Sequence, residues 1–179
     1  GINYDPCHLA VEYEEAAEAL GALVQEGIRI SKLHFSSAMK VHPTPEVLAG
    51  LEAYAEDIYF HQVIARTEDG SLRRYRDLPD ALRLASEGET AADREWRIHF
   101  HVPLHCAPTE RFDTTADQLQ KAIQFLGSTP AVCSHVEMET YTWEVLPDEM
   151  KQRDVVDQLV GEYEWTLSSL AEQGIAPKK

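Results

Sequence analysis

Basic residues are scarce in this chain: 16 Lys and Arg stand against 31 Asp and Glu, for a net charge of -15. Nucleic-acid binding draws on Lys and Arg to neutralise phosphates, so no nucleic-acid partner is expected. An acidic substrate would need a local Arg, Lys or metal. Cysteine is scarce too: Cys7, Cys106 and Cys133 leave an odd number and form no C-x-x-C pair. That argues against a disulfide framework and a structural zinc knuckle. The three read as reduced thiols of a cytoplasmic protein, with Cys133 expected in the core. No apolar run reaches the roughly 18 residues of a membrane helix, so no membrane span is expected, and no basic-then-apolar leader stands at the start. The chain opens on GINYDPCH, already strand-like and without a Met. A domain rarely starts inside a buried strand, so the start of the gene product is expected to lie upstream.

What the chain does have is 179 residues with ordinary globular composition, 44% hydrophobic and 26% charged. That is enough for one domain with a sizeable core. Four strand-like runs each end in metal-ligand residue types: INYDPCH with Asp5 and His8, IRISKLHF with His34, WRIHFHVP with His99 and His101, and AVCSHVEMETYTW with His135, Glu137 and Glu139. Helical spacing lies between them. Ala17, Leu20, Leu23 and Val24 predict a helix over 14–26 stopped by Gly27, and Thr44-Pro45 predicts a cap and first turn for a helix to Asp57. Thr114 or Thr115 opens another helix, through Leu126, which Gly127 ends. A last helix over 148–173 is expected to bury Val155, Leu159, Tyr163, Leu167 and Leu170. Asp69-Gly70 between two strand-like runs is a hairpin signal, followed by a short helix after Asp77.

These elements predict an α/β fold. Four βα units, with strands parallel because a helix separates each pair, match the C-terminal half of a (β/α)8 TIM barrel, whose usual length is about 250 residues. Residues 58–95 then read as an inserted β-hairpin and helix between the second and third strands. An open doubly wound sheet fits the alternation as well. Polar residues at inward-compatible positions on every strand favour the barrel.

Side chains alternate across a strand, which sorts the candidates by face. Arg97, His99 and His101 share one side of the third run. His135, Glu137, Glu139 and Tyr141 share one side of the fourth, Lys32 and His34 one side of the second, and Asn3 and Asp5 one side of the first. A charged face cannot point at covering helices without a compensating partner, so it is expected to point at the barrel axis, where a cation can sit. Asp5, His34 and Glu139, at strand ends, are the best metal-ligand candidates. Carboxylate with imidazole suits a divalent Mn, Zn, Fe, Co or Mg ion. His8 is a second ligand or a substrate-orienting group, and His101 lies near its strand end with His99 one layer deeper. Glu137 and His135 are deeper still and are expected to support the ligands. Lys32 is a general base or an ion-pair partner of the carboxylates. Tyr141, Trp143 and Phe112 are candidates to line a pocket. Any one of these residues alone is more often a satisfied core or surface group.

At this point NYDPCH resembles the D-x-x-H segment of the xylose isomerase-like barrels, a superfamily that includes sugar epimerases and endonuclease IV. KLHFSSA, the HQVIARTEDGSLRRYRDLPDAL stretch, WRIHFHVPLH and VEMETYTWEVLP are similar, over most of the chain, to EboE-type metabolite traffic proteins. The resemblance implies a metal held by Asp5, His34 and Glu139, with a further Glu from an earlier strand that this chain does not contain. His8 would touch substrate or a second metal. The missing half implies a partner, either an N-terminal half of the barrel or a second chain.

Three functions follow as expectations. The first is a metal-dependent isomerase or epimerase of a sugar-like hydroxycarbonyl, with Glu139 as ligand and base and His8, His101, Tyr141 and Trp143 around the small-molecule substrate. The second is a binding or traffic protein that handles a sugar-like or prenylated metabolite without turnover. The third, endonuclease IV-like DNA repair, is disfavoured by the acidity.

Overall fold

The computed structural model describes residues 1–129, 131–139, 142–147, 151 and 154–176. Among the described residues it is a mixed α/β structure with two sheets, and no barrel is closed. The first sheet is parallel, with strands in the order β1 (Ile2–Tyr4), β2 (Ile30–Phe35) and β8 (Val136–Met138). The second is antiparallel, in the order β5 (Leu72–Tyr75), β4 (Val63–Thr67), β6 (Asp93–His101), β3 (Ala38–Val41) and β7 (Asp113–Thr114). Six α-helices are described: α1 (Pro6–Val11), α2 (Ala16–Gln25), α3 (Pro45–Leu51), α4 (Leu78–Ser86), α5 (Ala116–Ser128) and α6 (Val155–Glu172). No helix is long and apolar enough to cross a membrane, among the described residues.

The expectation of four parallel strands is corrected here. The run carrying His99 and His101 is β6, and it pairs antiparallel with β3 on one side and β4 on the other. Leu33, His34 and Phe35 of β2 pair instead with Val136, Glu137 and Met138 of β8. The reason is local. After Phe35 the chain takes two residues, Ser36 and Ser37, and re-enters a strand at Ala38, too short a connection for the crossover a parallel neighbour needs. The hairpin of segment 58–95, turning at Asp69-Gly70 as expected, supplies β4 and β5, two of the five strands of the sheet that carries β6.

Each sheet has its own core. Leu33 and Phe35 of β2 point into a cluster with Tyr4, Leu20, Leu119 and Ile123, which α2 and α5 cover. Trp96, Ile98 and Phe100 of β6 point into a second cluster with Leu51, Tyr54 and Leu78. A third, small cluster of Cys7, Val11, Ala38 and Ile64 fastens α1 to the antiparallel sheet. Two polar ties reinforce it: Arg97 Nη1 donates to the Ala10 carbonyl at 2.7 Å and Tyr13 Oη donates to the Glu95 carbonyl at 2.8 Å. Two guanidiniums stack on the Tyr13 ring, Arg66 at 4.2 Å and Arg97 at 4.0 Å from its centroid. Consequently α1, the helix that follows Asp5, is anchored to both sheets.

Two further expectations are revised. Cys133 is only partly buried, and Cys7 is the cysteine in the core. On α6 only Leu170 of the expected stripe is buried: Val155, Leu159, Tyr163 and Leu167 are exposed, and Gln158, Glu162, Thr166 and Ser169 face inward. That inward face meets polar neighbours, with Ser169 Oγ 3.4 Å from Gln120 Nε2, and Gln158 and Glu162 beside His101 and Glu139. A polar environment selects the polar face, whatever the amphipathic pattern predicts.

Gly127 lies inside α5 rather than ending it. A β-carbon there would stand 2.8 Å from Gln173 Cβ and 3.1 Å from the Gln173 carbonyl oxygen. Gly127→Ala should therefore destabilise the protein by about 1–3 kcal/mol, the usual range for overpacking, despite alanine's better helix propensity. Denaturant unfolding of the two proteins checks this, and an alanine variant as stable as the parent would show that α6 gives way freely.

Candidate metal centre

Asp5 ends β1 and caps α1. Asp at the N-cap with Pro6 at the first helical position is a favoured start, and Oδ1 accepts from Cys7 N at 2.9 Å and His8 N at 3.3 Å. Ser36 Oγ donates to the same oxygen at 2.6 Å. Oδ1 is thus saturated by the fold, while Oδ2 faces His8 Nδ1 at 2.8 Å and His34 Nδ1 at 3.9 Å. Burial opposes ionisation of this carboxyl. Hydrogen bonds from His8 and Ser36 and the nearby imidazoles outweigh it and hold Asp5 well below the usual carboxylate range.

His34 comes from the end of β2. Its Nε2 lies 3.1 Å from Glu137 Oε1 and 3.3 Å from Lys32 Nζ, while its Nδ1 is the ring nitrogen on the side of Asp5 and Glu139. Asn3 Nδ2 reaches the same nitrogen at 3.3 Å. A carboxylate behind a histidine is the arrangement that orients metal-binding imidazoles. Lys32 Nζ ion-pairs with the other oxygen of Glu137 at 2.9 Å. Glu137 and His135 are not deep, as alternation suggested, but 48% and 64% exposed at the side chain. Hydrogen bonds from Lys32 and then His34 pull the Glu137 pKa down to about 2.

Glu139 follows β8, placed by its own backbone N–H to the Phe35 carbonyl at 3.1 Å. Its Oε2 lies 3.7 Å from His34 Nδ1 and 3.9 Å from His101 Nδ1, and this buried oxygen has no hydrogen-bond partner among the described residues. Burial first, then the neighbouring Asp5 charge, raises the Glu139 pKa. One ligand atom each from Asp5, His34 and Glu139 lies within 4.8 Å of the other two. An orphaned carboxylate oxygen among two carboxylates and an imidazole fits a divalent cation.

Compared with protein-family models, with curated proteins and with solved structures, the chain matches none. The reading of the site rests on its own chemistry.

The remaining candidates divide. His8 is half-exposed, with its ring 4.3 Å from that of His99 and 6.0 Å from that of His101. Its hydrogen bond to Asp5 raises its pKa, against the effect of burial. His101 and Trp143 line one narrow cleft with Glu139 and Thr142, whereas Phe112 belongs to the core of the antiparallel sheet. Tyr141 lies outside the described residues. Cys7 was not singled out as a ligand by the spacing, although it stands between Asp5 and His8: its Sγ and ring nitrogens of His99 and His101 form a second group within 4.8 Å. The signal was the H-x-H pair, whose partner no sequence distance could supply.

Burial pushes the His99 pKa down to about 4 and that of His101 to about 3, each reinforced by a neighbouring imidazole. An unfolded chain would protonate both near the ordinary value of about 6.5. Between these values the unfolded state binds more protons, so stability falls as pH is lowered through that window. His8 acts in the opposite direction, adding stability that is full below its ordinary value and lost as pH rises through its raised one. Glu139, whose pKa is also raised, acts with His8 toward the lower end of this window, but the two large histidine depressions outweigh them, so the denaturation midpoint of the metal-free protein should drop between pH 7 and pH 5, and His99→Gln should flatten the dependence. Equal slopes for parent and variant would sink this assignment.

Proposed function

We propose that this chain is a divalent-metal-binding protein of the isomerase or epimerase type, acting on a sugar-like hydroxycarbonyl. One observation carries the reading: Asp5, His34 and Glu139 converge within 4.8 Å from the C-terminal ends of three adjacent parallel strands, the face on which α/β sheets and barrels build their sites. A divalent ion bound there would polarise a carbonyl and the neighbouring hydroxyl, acidifying the C–H between them. Glu139, with its raised pKa, takes or returns that proton. Glu137 orients His34, and Lys32 fixes Glu137. His8, half-exposed, borders the substrate, and buried His101 stands behind Glu139 at 3.9 Å, with Trp143 along the same narrow cleft.

In this reading the three parallel strands are an arc of a xylose isomerase-like barrel. Their outer edges, on β1 and β8, are completed by an N-terminal half or a second chain, which also removes the liability of open strand edges. The experiment is a turnover screen of aldose- and ketose-like substrates with and without added Mn, Co, Zn or Mg. Metal-dependent epimerisation or isomerisation that Glu139→Gln abolishes is the expected result. Substrate turnover indifferent to metal and to Glu139 would refute it.

A second reading, carriage of a prenylated metabolite without turnover, draws on one further feature. An apolar groove of about 570 Å³ runs between β1, α1 and α2, lined by Ile2, Tyr4, Leu9 and Leu23 with Asp5 and His8 beside them. It offers an apolar tail a bed next to the polar site. Binding of a prenyl alcohol that Leu23→Glu eliminates, without any reaction of the bound molecule, would favour carriage over catalysis.

A further inference from the structure

The geometry points to a second metal site, Cys7–His99–His101, that takes zinc through a thiolate and two imidazoles. It goes beyond the function proposed above and shares none of the three ligands of that site. The thiol comes from the first turn of α1 and both imidazoles from one side of β6, two residues apart. The other side of β6, with Ile98 and Phe100, is locked in the core, so the histidines cannot turn away. Cys7 is fully buried, fixed by Ala38 and Ile64 around it and by its backbone N–H to Asp5 and Ser36.

The three donor atoms already lie within 4.8 Å of one another. Zinc–sulfur and zinc–nitrogen bonds of about 2.3 and 2.0–2.1 Å in a tetrahedron put neighbouring ligands roughly 3.3–3.6 Å apart. The site needs to contract by about an ångström, the scale of a side-chain adjustment. A second observation points the same way: His99 Nε2 is sealed from solvent and has no hydrogen-bond partner among the described residues, a cost that a bound cation removes. When the ion enters, the Cys7 proton leaves to solvent and the sulfur bonds as thiolate.

The donor set separates this site from its neighbour. One sulfur and two imidazoles suit zinc or cobalt, while two carboxylates and one imidazole suit a harder ion as well. Three protein ligands leave a fourth position open, as catalytic zinc sites do. The two sites are also adjacent: His101 Nδ1 lies 3.9 Å from Glu139 Oε2, and the His8 ring touches both Asp5 and His99. A small molecule bound between them would meet two ions of different hardness.

The test titrates the metal-stripped full chain with Co²⁺ alone under reducing conditions, alongside zinc analysis. Expected is a thiolate-to-cobalt charge-transfer band in the near ultraviolet and two zinc equivalents per chain. Cys7→Ser and Cys7→Ala should each abolish the band and leave one equivalent. His99→Gln, which keeps the thiol, should weaken cobalt binding at this site at least about tenfold. Asp5→Asn should remove the other equivalent and keep the band. A cobalt-loaded parent without the band, or Cys7 variants that retain it or still hold two zinc equivalents, overturns the thiolate site. An Asp5→Asn protein that keeps both equivalents while Cys7→Ser drops to one would instead sink the carboxylate site and leave this one standing.

Discussion

Asp5→Asn is expected to cost the Asp5–His34–Glu139 site more than the roughly 10–100-fold in metal affinity that losing a supporting group costs, while leaving the fold in place. Asparagine caps a helix about as well as aspartate, so α1 keeps its start, and the amide oxygen can still accept from Cys7 N and Ser36 Oγ. What disappears is the charge on Oδ2, the atom facing His8 and His34. Asp5→Ala is the contrasting variant. It removes the cap too and should lower stability by about 1 kcal/mol more. Equilibrium dialysis with Mn or Zn, read beside the far-ultraviolet circular dichroism, separates the two effects. Unchanged affinity in the asparagine variant would remove Asp5 from the ligand set.

Trp96→Ala should produce the largest loss of stability, about 3–5 kcal/mol. Trp96 is fully buried at the centre of β6 and packs against Tyr75, with ring centroids 5.8 Å apart. Its Nε1 donates to Asp93 Oδ2 at 2.8 Å, an oxygen that also accepts from Tyr75 Oη at 2.7 Å. Truncation opens a cavity and takes one donor from a carboxylate with almost no exposure. Because β6 also carries His99 and His101, loosening it should reach the metal sites. Guanidinium unfolding measures the first effect, and a midpoint shift worth less than about 1 kcal/mol would mean the sheet closes over the void. Cobalt absorption of the same variant measures the second.

Much of the local structure was legible beforehand. Thr44-Pro45 is a helix start because the Thr44 side chain accepts a free N–H of the first turn, whereas the short helix capped by Asp5 was not anticipated. Asp69-Gly70 turns a hairpin because Gly70 takes a left-handed φ of +84°. Alternation placed Lys32 and His34 opposite Leu33 and Phe35, and the buried pair indeed lies in the core. Asp5, His34 and Glu139 could be nominated as ligands because strand-end position is a local property. Their convergence was not local.

Three matters were decided only by the tertiary structure. The pairing of β6 depended on where the chain turned after Phe35, and a period of two is the same in parallel and antiparallel strands. The covered face of α6 depended on what it met: an apolar stripe records amphipathicity, but Gln158 and Glu162 were drawn in because their neighbours are His101 and Glu139. Cys7 became a candidate ligand only when α1 was laid across β6, bringing residues more than ninety positions apart within 4.8 Å. Sequence by itself therefore determined which side chains share a face and where elements begin. The meeting of those faces belonged to the tertiary structure, because contacts between distant segments are set by packing and chain connection, which no local pattern encodes.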